Sequence, residues 1–278
     1  MVNSAANQLP TDVQFEKRLG QLATFVRVMR QAGLPIEFAL QMPIDNPEMR
    51  ERLVRSWLTG VPENGTQSAS VNYNPTPSQI RAREIMGKSF LGVEKAVRHF
   101  GAVYTEEQLA LLAEIPFLEA VLEECKNTHI LVAGFPMTIL GIRAKAPGKN
   151  PKTFYSCKDA WYNSQTFAKD EKVEVRWYLI RKQAAANSTS KNFDKQKALL
   201  SKYEEVPRAC ELVYAVVLYF MATGERLLPN IYVRCSDMVS DGGRVYVGCF
   251  GAHGLGVDDG WDDGRRDDVG VSAARKSN

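Results

Sequence analysis

Between Asp241 and Gly270 the chain uses a restricted alphabet: nine Gly and seven Asp make up sixteen of thirty residues. Gly and Asp favour turns and weaken strands, so they cannot build a regular core by themselves. Yet Val245, Val247, Phe250, Leu255, Val257, Trp261, Val269 and Val271 run through the same stretch, which makes it too apolar for a linker. Such a segment is expected to fold as short strands on an apolar framework, with permissive residues in between. Its chemistry is biased in a second way. The last Glu is Glu225, beyond it there is no Gln and no Thr, and Lys is absent from Arg226 to Arg275. Folding physics gives no reason to keep Asp and reject Glu, or to keep Arg and reject Lys.

The rest of the composition is ordinary. The 278 residues correspond to about two domains. Apolar residues make up 45%, charged residues 24%, and the net charge is +3, values that exclude a disordered, collagenous or disulfide-scaffold chain. This charge gives no reason to expect a nucleic-acid partner. No run of 18 apolar residues occurs, so no membrane span is expected. The first eighteen residues lack an apolar signal core, which leads us to expect a cytoplasmic protein, with virion association or surface display only through a partner. Cys125, Cys157, Cys210, Cys235 and Cys249 form no CxxC pair and are read as reduced thiols.

Periodicity divides the chain into a mainly helical region, 1–126, and an α+β domain, 127–278. Phe15, Leu19, Leu22, Val26 and Met29 form an apolar stripe over 12–31, and Asn46, Pro47 and Gly60 frame a second helix over 47–59. A polar, turn-rich connection follows at 61–78. Helices are expected at 79–99 and at 106–126, the latter opened by a Thr105–Gln108 capping box and bent near Pro116. No strand is expected in the first 126 residues. Strands are expected at 129–134, 137–145, 173–179, 231–234, 244–248 and 270–274, with a hairpin turn at 240–243. Residues 207–223 are apolar nearly all round and end at Gly224, as in a helix buried against a sheet.

Familiar catalytic motifs are lacking. Gly87-Lys88-Ser89 has the form of the end of a phosphate-binding loop, but Ala82 occupies the place of its first glycine. His99, His129 and His253 show no metal-ligand spacing. The run 258–268 carries six Asp and two Arg, yet lacks the ligand order of a helix-loop-helix calcium site. A solvated acidic loop is the expectation, with no cofactor and bound calcium as the lesser alternative.

The run RVYVGCFGAHGLGVDDGWDDGRRDDVGVSAARK, preceded by ATGERLLPNIYVRCSD, resembles the variable protein of a diversity-generating retroelement, most specifically over 223–276. In that family an error-prone reverse transcriptase randomises template adenines, and asparagine codons then cannot yield Lys, Glu, Gln, Met or Trp. The resemblance implies diversified, ligand-binding positions at Gly243, Tyr246, Cys249, Gly251, His253, Gly256, Asp258, Asp259, Gly260, Gly264, Arg266, Asp267 and Asp268, within a variable region of about 243–270. None of these residues is forbidden by the codon rule. The implied fold is a C-type-lectin-like domain of the formylglycine-generating-enzyme-like subtype, without that enzyme's catalysis. The implied function is a receptor that binds a protein or glycan ligand through its variable face.

Val245 and Val247 around Tyr246, and Leu255 and Val257 around Gly256, alternate as in a sheet with one buried face. The diversified side chains are therefore expected to project into solvent. Replacing Tyr246, Arg266 and Asp267 together is expected to abolish binding without loss of stability. Two alternatives are an oxidoreductase of the formylglycine-generating type using Cys235 and Cys249, and a structural viral-particle protein docking to an assembly partner through residues 1–126.

Overall fold

The computed structural model describes residues 73–146, 151–155 and 159–277. The helices expected at 12–31 and 47–59, with most of the connection after them, lie outside the described residues. What is described is a mixed α+β unit with two sheets. None of its helices is long and apolar enough to cross a membrane.

Thr76 and Gln79 cap each other reciprocally to start α1 (Pro77–Met86), with Pro77 at the first position, where its missing N–H costs nothing. The helix expected over 79–99 does not continue. Gly87 takes φ 53°, which ends α1, and Phe90–Leu91 form a short strand, β1, before α2 (Val93–Phe100). The gain is tertiary: β1 pairs in parallel with β2 (His129–Ala133), which buries Phe90 and Leu91. The helix expected over 106–126 is likewise split, into α3 (Glu106–Leu111), opened by the Thr105–Gln108 box, and α4 (Glu119–Cys125), with Pro116 in the gap.

The expected strand at 137–145 is helix α5 (Ile139–Lys145) instead. Thr138 Oγ1 accepts the Gly141 N–H at 3.0 Å, and Ile139 and Ile142, three residues apart, are both fully buried. A one-turn helix α6 (Thr166–Lys169) follows. The strand expected at 173–179 starts only at Trp177, as β3 (Trp177–Arg181), antiparallel to β2. The first sheet is completed by β4 (Glu204–Glu205), after α7 (Phe193–Lys197), and by β9 (Ala274–Arg275), giving the order β1-β2-β3-β9-β4.

Helix α8 (Ala209–Thr223) forms as expected, is buried from Ala209 to Phe220, and ends on left-handed Gly224. It touches β1 and β2 of the first sheet and, on the other side, β5 (Tyr232–Met238) and β6 (Arg244–Gly251) of the second. The second sheet adds β7 (Gly254–Gly260) and β8 (Val269–Val271) in the order β7-β6-β5-β8, with the β5–β6 hairpin turning through Gly242.

One apolar core runs from Ala82 to Ala274, so α1–α4 pack into the same body as the strands. The boundary read at 126/127 therefore crosses a shared core, and the compact unit begins at Ser68.

His129 opens β2, 5% exposed, with Nδ1 2.8 Å from Thr128 Oγ1. Burial, aided by the nearby Arg181, lowers its pKa to about 4. The unfolded chain takes up this proton near pH 6.5 and the folded chain only near 4, so stability falls as pH drops through that window and levels off below it. The contribution amounts to up to about 3 kcal/mol. Urea midpoints of His129→Gln should show a flatter decline than the native chain between those pH values, and parallel declines would rule out this residue as the source.

Candidate functional site

The residues implied as diversified gather on one sheet and its adjoining loops, and strand parity sorts those within β6 and β7. In β6, Val245 and Val247 are fully buried in the core shared with α8, and after the bulge at Gly248–Gly251 Phe250 packs on Phe220, ring centroids 4.9 Å apart. Tyr246 faces the other way, opposite Arg234 of β5 and Asp258 of β7. Tyr246 and Tyr232 meet edge-to-face with centroids 5.0 Å apart. The tyrosines lie down because glycine lies beneath them. A Cβ on Gly256 would stand 2.5 Å from the Tyr232 hydroxyl, and one on Gly260 would stand 3.2 Å from the Tyr246 ring.

Solvent access is therefore uneven, contrary to expectation. His253, Asp258, Arg266 and Asp267 are exposed; Cys249, Gly251, Asp259, Gly260, Gly264 and Asp268 are half-buried; Gly243, Tyr246 and Gly256 are buried. Tyr246 is only 3% exposed because Tyr232 and the Arg266 guanidinium, 5.8 Å over its ring, cover it. Burial, with Asp258 nearby, raises its hydroxyl pKa, and burial raises that of Tyr232 to about 12. Arg266 donates to both oxygens of Asp268, at 2.8 and 2.7 Å, which lowers the Asp268 pKa. Asp259 moves the other way, raised by burial and by Asp258.

Two arginines outside the set implied as diversified hold the loop between β7 and β8. Arg234 is 2% exposed and donates to the carbonyls of Lys191, Trp261 and Gly264 and to Gln196 Oε1, at 2.8 to 3.2 Å. Arg244 grips Asp262 through two bonds of 2.5 and 2.8 Å, donates to the Ser236 carbonyl and lies 3.7 Å over the Phe193 ring. The backbone adds Phe193 N–H to the Asp262 carbonyl and Ser190 N–H to the Arg266 carbonyl, both at 2.8 Å. The loop is thus tied to residues 188–196, which sequence reasoning did not associate with the site. Arg234 and Arg244 were also missed. Their signal was present, since both are cations at framework positions of strands otherwise read as apolar.

The carboxylates of 258–268 do not converge. Asp258 and Asp259 follow opposite directions of β7, Asp262 is taken by Arg244 and Asp268 by Arg266. Among the described residues, no three His, Cys, Asp or Glu side chains are grouped to hold a metal ion. Cys235 and Cys249 do not form a pair either. Cys235 lies on the core side near Cys210, whereas the Cys249 thiol meets the Tyr232 hydroxyl, and burial raises both thiol pKa values. Neither is activated as a thiolate.

Comparison with known proteins gives no match among family models, curated proteins or solved structures.

Arg234→Met would strip four acceptors, one of them the buried Gln196 Oε1, of their donor. A loss of about 3 kcal/mol in unfolding free energy is expected, with faster amide exchange across 261–264. The exposed Arg266–Asp268 pair is worth under about 1 kcal/mol, so Arg266→Ala should barely move the denaturation midpoint. Equal costs for the two variants would show that the loop is not anchored through Arg234.

Proposed function

We propose that this chain is a non-enzymatic binding protein of the diversity-generating type. In this reading a C-type-lectin-like scaffold presents the outer face of β5–β7 and the following loop to a protein or glycan ligand. The observation that carries the reading is the match between alphabet and geometry. Residues drawn from the restricted set occupy the face and rim of one sheet, while the framework residues between them fill the core or pin the loop. A surface built in this way can change its contacts without changing its support. Contact in this copy would come from His253, Asp258, Arg266 and Asp267, the exposed members. Tyr246 contributes from beneath by fixing Arg266, 3.4 Å from its hydroxyl.

The DNA provides a direct test. A near-copy of the stretch encoding 243–270, lying beside a reverse-transcriptase gene and differing only at template adenines, is expected. Differences spread over all four bases overturn the reading. At the protein level, joint replacement of Asp258, Arg266 and Asp267 by serine should leave the unfolding free energy within about 1 kcal/mol. Tyr246→Ala should cost about 3 kcal/mol, because its ring is buried. A marked loss of stability in the triple variant would make those residues framework instead.

A further inference from the structure

At the β8 side of the second sheet lies a cavity of about 400 Å³, between the segments 183–189 and 228–231. Both walls are tied to the strands. The Ala185 N–H donates to the Val271 carbonyl at 3.0 Å, and Ser188 Oγ accepts the Val271 N–H at 3.2 Å. The Leu228 and Ile231 carbonyls accept the Phe250 and Cys249 N–H groups at 3.0 and 2.9 Å. Gly270 of β8 lets the walls come together. A Cβ there would stand 2.6 Å from Ser188 Oγ, 2.8 Å from Ala184 Cβ and 3.7 Å from Ile231 Cδ1, all three in lining residues. The cavity is therefore preformed, and its volume is that of a small-ligand site.

Its lining mixes two kinds of group. Ala184, Ala186, Pro229 and Ile231 supply small apolar surface. Gln183, Asn187 and Asn230 supply carboxamides and Thr189 a hydroxyl, and none of these four side chains is bonded to another described residue. A carboxamide and a hydroxyl each donate and accept, as do the hydroxyls and amide of a neutral sugar derivative. We propose that this cavity is a subsite for an N-acetylhexosamine unit of a glycan, with the acetyl methyl on the apolar surface and the amide and hydroxyls on the free carboxamides. Both walls lead into the loop that carries Arg266 and Asp268. The Ser190 N–H donates to the Arg266 carbonyl at 2.8 Å and the Tyr232 N–H to the Asp268 carbonyl at 2.9 Å. No lining residue belongs to the set implied as diversified, so a constant sugar subsite would adjoin contacts that change from copy to copy. Only that change in the neighbouring contacts rests on the proposed function; the subsite does not.

The test is saturation-transfer NMR on the full chain with the methyl glycosides of N-acetylglucosamine and N-acetylgalactosamine. One of the two should bind saturably, with the strongest transfer to its acetyl methyl. The parent methyl hexoside, with a hydroxyl in place of the acetamido group, should bind at least about fivefold more weakly. Ala186 is exposed, so Ala186→Leu should fill the cavity and weaken binding at least about tenfold without moving the denaturation midpoint. Joint replacement of Gln183 and Asn230 by alanine, both exposed, should weaken it at least about fivefold. Equal binding of the parent hexoside, unchanged affinity in these variants, tighter binding of Nα,Nε-diacetyl-lysine methylamide, or no saturation up to the solubility limit would each overturn the proposal. These outcomes are independent of the DNA comparison. Loss of sugar binding leaves diversification standing, and a missing template copy leaves the subsite standing.

Discussion

The fold depends on a helix with no polar side. Along α8 the side chains from Ala209 to Phe220 are buried, including Glu211, which is held by Arg208, and Tyr214, which donates to the Ala133 carbonyl at 3.0 Å. Such a helix must be covered from several directions at once. The first sheet and α2 and α5 supply part of that cover, and β5 and β6 supply another. The second sheet therefore has one face committed to the helix before any of its outward residues is chosen. This commitment is what makes the outward face free to differ.

The outward face is nevertheless not a free surface on which any side chain stands independently. Tyr232 lies over Gly256, Tyr246 over Gly260, and Arg266 over Tyr246, so each residue's position depends on how small its neighbour is. A glycine in this region contributes through the space it leaves. Below the tyrosines, Arg234 sits inside the sheet's outer layer and collects carbonyls from two loops. A buried guanidinium is costly; four acceptors on its two Nη groups offset much of that cost, while its buried Nε finds no acceptor among the described residues. The arrangement gives the loop one conformation even though its sequence is rich in Gly and Asp.

Much of this was legible in the sequence, and the misses have two physical origins. The buried helix, the 240–243 turn and β6 follow from local pattern, since Val245 and Val247 alternate and Gly224 stops α8, whereas 270–274, expected as one strand, is divided between β8 and β9 in different sheets. One error came where long-range pairing outweighed local preference, and another where a local cap did. Phe90 and Leu91 read as helix until β2 supplies a parallel neighbour, and Ile139 and Ile142 read as strand until Thr138 caps a turn. The candidate site divides along the same line. Residues 243–268 could be singled out by their alphabet alone. The anchoring stretch at 188–196 and the two framework arginines act through contacts across the fold, which no spacing encodes.

The last strand lies between two earlier ones. β9 is bonded to β3 on one side, Ile180 opposite Ala274, and to β4 on the other, Glu205 opposite Ala274. On the proposed reading, the stretch 243–270 is a cassette with both ends stitched into sheets: β5 comes before it and β9 after it. Substitution inside such a cassette is cheap, but a change of length is not. One inserted residue would shift the downstream strands by a single position, and single-position shifts turn every side chain of a strand to the other face. A mechanism that rewrites letters while keeping their number suits this architecture, and one that added or removed codons would unpick its final seam.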